Sequence, residues 1–247
     1  MMFGLFKKKK KIVPELNFSG IKTDMHSHII PGIDDGAKDL KDALLLAKKF
    51  KALGYQKLIA TPHIMADYFR NTPATINRGL DLLRKGLEEH GIGLVVEAAA
   101  EYYLDETLEK KVRQKEVLTF GEHYLLFELS YINPPQNLID FIKIMQDAGY
   151  KPVLAHPERY SYYHYNFENY HQIRETGCLF QLNAIALTGY YGTGAKKAAE
   201  SMVDKHLIDF LGSDMHHLKH AVALENSLST PSMQQLLTQH QLNNTLL

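Results

Sequence analysis

A single parallel β/α barrel is the architecture that the sequence predicts, and three observations predict it. Short apolar runs alternate with longer amphipathic stretches along almost the whole chain. Seven such units follow one another with no linker-like or low-complexity stretch between them, which favours one domain over two. No Gly-rich phosphate or dinucleotide fingerprint follows the first strand, and this weakens the main competitor, an open doubly wound sheet.

The elements follow in order. IKTDMHSH is the first strand, and a helix over 40–53 stops at Gly54. KLIATPH precedes a helix over 73–90, and GLVVEAAAEYY one over 105–115. YLLFELS leads to 135–148, KPVLAHP to 167–175, LFQLNA to 194–205 and DFLGSD to a last helix over 231–241. Gly54, Gly91, Gly149 and Gly177 stand where helix C-terminal caps favour glycine. The domain boundaries drawn from this pattern are a basic tail over 1–20 and one barrel over 21–247.

The 247 residues hold 28 basic and 28 acidic side chains, which argues against nucleic-acid binding by bulk charge. The single cysteine, Cys178, excludes an internal disulfide framework and fits a reducing compartment. It lies in the apolar stretch TGCLFQLNA, so it reads as a core residue and not a nucleophile. The N-terminal run begins at Lys7 and ends at Lys11, the reverse of a secretory signal, and no stretch of about 18 apolar residues is present to cross a membrane. A cytoplasmic protein is expected. The lysines read as a solvated tail, with weak contact to anionic lipid or an acidic partner as the alternative.

The strand ends carry the chemistry. His26 and His28 end the first strand, His63 the second, and Glu101 the third; Glu128 lies in the fourth, His156 ends the fifth, and Asp214 and His216 end the seventh. In parallel β/α folds these ends form one face, and residues i and i+2 project to the same side. Imidazoles and carboxylates without thiolates suit zinc, manganese or iron, and the set is large enough for two or three bridged ions. His123, His164, His171 and His206 read instead as structural. Asp34, in the turn PGIDDGA, reads equally as a turn former and as an outer contact to the metal.

These motifs, DMHSHIIPGIDDGA, ATPH, AEYYLD, LLFEL, LAHPERY and GSDMH, resemble in order those of the polymerase and histidinol phosphatase (PHP) superfamily. The first and HPERY resemble its capsular-polysaccharide type of bacterial protein-tyrosine phosphatase. The resemblance implies a distorted, TIM-like seven-stranded barrel with a trinuclear, usually manganese-supported, centre that hydrolyses phosphotyrosine. It implies metal binding by His26, His28, His63, Glu101, Glu128, His156, Asp214 and His216, and a phosphate contact from Arg159. The implied partner is an autophosphorylating tyrosine kinase that controls polysaccharide export. Where many members carry a second arginine after the Asp-x-His pair, this chain reads HHLKHAVA, with Lys219 the candidate cation.

Phosphate-ester hydrolysis needs a nucleophile, charge neutralisation and help for the leaving group; divalent ions supply the first two by lowering the pKa of water to about 7. Arg159 adds a permanent bidentate cation and is too basic to be the acid. Because a phenolate leaves readily, metals and arginine without a dedicated acid could suffice, with His63, His216 or a metal-associated water as the alternative donor. The run RYSYYHYNFENY places Tyr160 and Tyr162 as a wall for a phenyl ring, with packing on the rim as their alternative. Two other functions fit the pattern: a small-molecule phosphomonoesterase such as a histidinol phosphatase, and a kinase-binding regulatory barrel without turnover.

Overall fold

The computed structural model describes residues 16–247, so the lysine run and its expected contacts lie outside the described residues. The strands are all parallel and form two sheets. The first joins β1 (Thr23–Ser27), β2 (Lys57–Ala60) and β4 (Val95–Ala98) in that order. The second is six-stranded: β3 (His63–Ile64), β5 (Glu101–Tyr103), β6 (Tyr124–Glu128), β7 (Lys151–Ala155), β8 (Leu179–Asn183) and β9 (Phe210–Gly212).

KLIATPH and GLVVEAAAEYY are each expected as one strand, and each is interrupted. β2 breaks into β3 at Thr61 and Pro62, where the proline has no N–H for a ladder. β4 breaks into β5 at Ala99 and Ala100 beside it, and pairing continues through Ala99 N–H to the Ala60 carbonyl (2.8 Å) and Glu101 N–H to that of Pro62 (3.1 Å). At the other edge, Asp214 N–H donates to the His26 carbonyl (2.8 Å) and His28 N–H to that of Met215 (3.0 Å), so the end of β1 lies against the chain leaving β9.

Met25, Ile59, Leu126, Val153 and Phe210, from five strands of the two sheets, pack on one another and on Phe120. A larger apolar layer lies between the strands and the helices. Helices α1 (Leu40–Ala52), α2 (Pro73–Glu89), α3 (Glu106–Gln114), α4 (Leu138–Asp147), α5 (Glu168–Glu175) and α6 (Thr193–Asp204) follow the expected pattern, and α8 (Pro231–Gln239) ends the series. Caps explain the sharpest starts: Asp39 accepts from Asp42 N–H, Asp105 from Thr107 and Leu108 N–H, and Thr72 and Thr75 form a capping box before α2.

Helix α7 (Leu218–Ser227) has no counterpart among the expected helices, because its buried face is mostly small or polar, with Ala221, Ala223, Ser227 and His220 beside Leu224. Phe18, within the expected tail, is fully buried and stacks on Tyr55 at 4.8 Å. Cys178 is buried as expected, and burial pushes its thiol up to about 12.

Candidate metal centre

All eight expected ligands meet in one cluster, six of them at or just past the C-terminal ends of their strands. His26 and His28 come from the end of β1, His63 and Glu101 open β3 and β5, Glu128 ends β6, His156 follows β7, and Asp214 and His216 follow β9. The backbones of His156 (φ 34°) and Asp214 (φ 51°) are left-handed, an unfavourable conformation for side-chain-bearing residues that aims both inward. Their donor atoms form four overlapping groups: His28, Asp35, His63 and His216; His26, His28 and Asp214; His26, Glu101 and His156; and His63, Glu101 and Glu128. Asp35 is the member that the sequence reading missed. Its carboxylate reaches His216 Nε2 (3.3 Å) and His63 Nε2 (3.6 Å), and the adjoining aspartate pair was the only signal for it.

Asp34 lies outside these four groups. Its Oδ2 lies 2.8 Å from His28 Nδ1 and accepts from His63 N–H, while its Oδ1 accepts from Gly36 N–H. Accepting at Nδ1 places the proton there and leaves His28 Nε2 free as a ligand. Gln181 does the same for His26, with Oε1 2.8 Å from Nδ1. Gln181 in turn donates to Asn183 (2.9 Å), and Asn183 to Asp214 Oδ2 (2.7 Å), so one buried chain fixes two ligands. This chain was readable in principle: Gln181 and Asn183 are polar residues at i and i+2 of an apolar strand.

The residues fit divalent ions on three counts. Glu101 Oε2 is buried without a hydrogen-bond partner, although ring nitrogens of His63, His26 and His28 lie 3.1, 3.2 and 3.4 Å away. His63 Nδ1 is likewise unpartnered, and His26 Nε2 and His28 Nε2 face each other at 3.3 Å, which needs positive charge between or on the rings. The donor set is imidazole and carboxylate throughout. In the polypeptide alone, burial opposes charge on His26, but Glu101 and Asp214 raise its pKa to about 9. Burial likewise works against ionised Glu101 and Asp214, yet the surrounding histidines hold both well below the usual carboxylate range.

The cluster opens into a cavity of about 590 Å³. Arg159 lines it, as expected, and donates from Nη1 to Asp214 Oδ2 at 3.0 Å. Its guanidinium is held between Tyr191 (4.2 Å) and Tyr131 (4.6 Å). Glu158 nearby is fully buried, and burial raises its carboxyl to about 8.

The expected aromatic wall is corrected. Tyr160 is fully buried; its hydroxyl donates to the Ala155 carbonyl and accepts from Leu129 N–H, so it is a core residue. Tyr162 donates to the Ser130 carbonyl (2.8 Å) and packs on Tyr163, away from the cavity. The cavity is lined instead by Tyr131, Tyr191, Phe69, Met65 and Ile132. Lys219 is exposed on the first turn of α7 and lines a neighbouring groove, while His220, one residue on, lines the cavity.

Ligands on strand ends, below a cavity that holds an arginine, make up the type of centre that metal-dependent hydrolases use. The model of the family described as capsular polysaccharide synthesis, CpsB/CapC, matches residues 22–234, and the chain belongs to that family. It is 31% identical to the tyrosine-protein phosphatase YwqE of Bacillus subtilis, over 79% of this chain and 78% of that one. It is 28% identical to a putative tyrosine-protein phosphatase, CapC, of Staphylococcus aureus, over 79% of this chain and 77% of that one. A solved structure from work on YwqE from Bacillus subtilis and CpsB from Streptococcus pneumoniae, described as unique metal-dependent tyrosine phosphatases, superposes with a TM-score of 0.76. The identity there is 28%, covering 89% of this chain and 96% of the other. Among the described residues no helix is long and apolar enough to cross a membrane.

Proposed function

We propose that this chain is a metal-dependent protein-tyrosine phosphatase whose phosphoester occupies the 590 Å³ cavity. The observation that carries the reading is Arg159, held by two tyrosine rings above the ligand cluster and inside a wall of apolar and aromatic side chains. His26, His28, His63, Glu101, Glu128, His156, Asp214 and His216, with Asp35, would hold divalent ions, which would supply Lewis-acid neutralisation of phosphate charge and a water of lowered pKa. Manganese is our assignment, supported by the hard carboxylate and imidazole set.

The chain's own residues do the rest. Arg159 binds two phosphoryl oxygens through its planar fork, and its stacking between Tyr131 and Tyr191 keeps the fork oriented as charge develops. Phe69, Met65 and Ile132 receive the phenyl ring and exclude water from it. A phenolate leaves with an unperturbed pKa of about 10, so its departure needs less protonation than an alkoxide's. His63 and His216, on either side of the Asp35 carboxylate, are our assigned proton donors, each through the ring nitrogen that holds no ion.

The partner in this reading is a phosphorylated tyrosine kinase of capsule synthesis, met in the cytoplasm, and the relatives' names and the family description support that setting. We also read the two sheets as one distorted seven-stranded barrel. The interruption of β2 into β3 and of β4 into β5, and the contact of β1 with the chain after β9, support it.

The test is hydrolysis of a phosphotyrosine peptide and of histidinol phosphate by chelator-stripped protein, before and after manganese, beside a His26→Ala, His28→Ala variant. Manganese-dependent turnover of the peptide, lost in the variant, is expected. Preference for histidinol phosphate would move the activity to small-molecule substrates, and binding without turnover would leave a regulatory barrel.

A further inference from the structure

A groove leaves the metal centre along α1, and nothing in the proposed chemistry uses it. It begins at His216 and His217, which also line the cavity, and runs between α1 and the start of α7 as a space of about 380 Å³. Its floor is apolar: Leu45 and Leu218 are 39% and 46% exposed, beside buried Leu46. On the other side of Leu45 a second space of about 400 Å³ lies over Leu40 and Leu44. The rim is basic. Lys38 and Lys219 line the first part, Lys41 and Lys48 the second, and Asp42 is the one carboxylate lining either part among the described residues. A chain with 28 charges of each sign therefore sets four lysines against one aspartate around these two spaces, which meet at Leu45.

We propose that this groove binds the residues flanking the phosphotyrosine of a substrate peptide, and that it selects acidic flanks interspersed with apolar side chains. The proposal rests on the phosphatase reading and adds the class of sequence preferred. Two features select this occupant. The groove is continuous with the cavity, so a peptide whose phosphotyrosine reaches Arg159 must leave the mouth on some side, and His216 and His217 form one such side. The alternation of exposed leucine and lysine matches alternating apolar and acidic side chains, and exposed lysines favour encounter with anionic partners. A second copy docking through the same face would bring like charges together. A lipid surface is flat, whereas this track is concave and starts beside a buried centre.

The experiment compares two phosphotyrosine peptides of equal length, one flanked by glutamate and leucine and one by lysine and leucine, with p-nitrophenyl phosphate as a substrate too small to reach Leu45. Wild-type protein should favour the acidic peptide through KM, and the preference should shrink with added salt. In Lys41→Glu, Lys48→Glu protein, kcat/KM for the acidic peptide should fall by about tenfold, as expected for reversing two rim charges. The basic peptide should gain, and p-nitrophenyl phosphate should be unaffected. Leu45→Asp should weaken both peptides through KM alone. Equal use of the two peptides by wild-type protein overturns the proposal while leaving the phosphatase reading intact, whereas failure to hydrolyse either peptide overturns both. Leu45→Asp protein that changes its sedimentation mass, or loses binding to phosphatidylserine vesicles, with peptide kinetics unchanged, gives the groove to a second copy or to a membrane and also overturns it.

Discussion

Asp34 illustrates how little of a metal centre is made by the ligands themselves. Its carboxylate belongs to none of the four donor groups, yet it is the group that decides which nitrogen of His28 is free. Replacing Asp34 by asparagine keeps the shape and removes the charge that holds the proton on Nδ1. The expected result is a loss of manganese affinity of about 10- to 100-fold, read by calorimetric titration, with the fold intact by circular dichroism. An unchanged affinity would mean that Asp34 serves only the turn through Gly36 N–H. The aromatic residues make the complementary point. Tyr160 and Tyr131 look alike in sequence, each just past a strand end, but Tyr160 turns under the chain to satisfy two buried backbone groups while Tyr131 stacks on Arg159. No periodicity separates them, because the short turns of Pro157–Arg159 and Ser161–Tyr163 set the direction of the Tyr160 ring.

At the level of elements, the loop between β1 and α1 is held by a close approach of backbone to backbone. A Cβ built on Gly36 would lie 2.0 Å from the His28 carbonyl oxygen and 2.5 Å from the His28 Cβ, so no side chain fits without moving the loop. Gly36→Ala should therefore displace Asp34 and Asp35 together. The expected outcome is weaker manganese binding with a destabilisation of about 1–3 kcal/mol in urea unfolding, the range for overpacking a tight site. An alanine variant with wild-type affinity would show that the loop adjusts freely. The ligands were legible because each stands at the end of an apolar run, where burial of an ionisable group demands a reason: His26, His28, Glu101, Glu128, His156 and Asp214 are all buried. The helices were legible from amphipathic period and glycine stops. What was not legible depended on tertiary partners. The break of β2 at Pro62 and the seating of α7 through alanines follow from neighbouring strands and helices, and Asp35 becomes a ligand candidate only once His63 and His216 approach it from two other loops.

For the whole molecule, the centre lies where the two sheets meet. His26 belongs to the first sheet with His28 just past its strand, while Glu101 and Glu128 belong to the second, with Asp214 and His216 just past its last strand. Across that junction the backbone contributes the His28 to Met215 and Asp214 to His26 hydrogen bonds. Ions bound there would tie the sheets together across a set of carboxylates and imidazoles that otherwise bury charge against charge. Binding to the folded form alone stabilises it by about 2.7 kcal/mol at a free concentration 100 times the dissociation constant. Chelator-stripped protein should therefore unfold at lower urea concentration than manganese-loaded protein by that amount. The location of the change matters more than its size. In hydrogen exchange, the amides of His28 and Asp214 should gain protection on loading, whereas those of α3 and α4, remote from the centre, should follow only the global change. Uniform protection would mean that the two sheets already form one cooperative unit without ions. Protection concentrated at the junction would mean that the same ions that serve the phosphoester also close the framework around it.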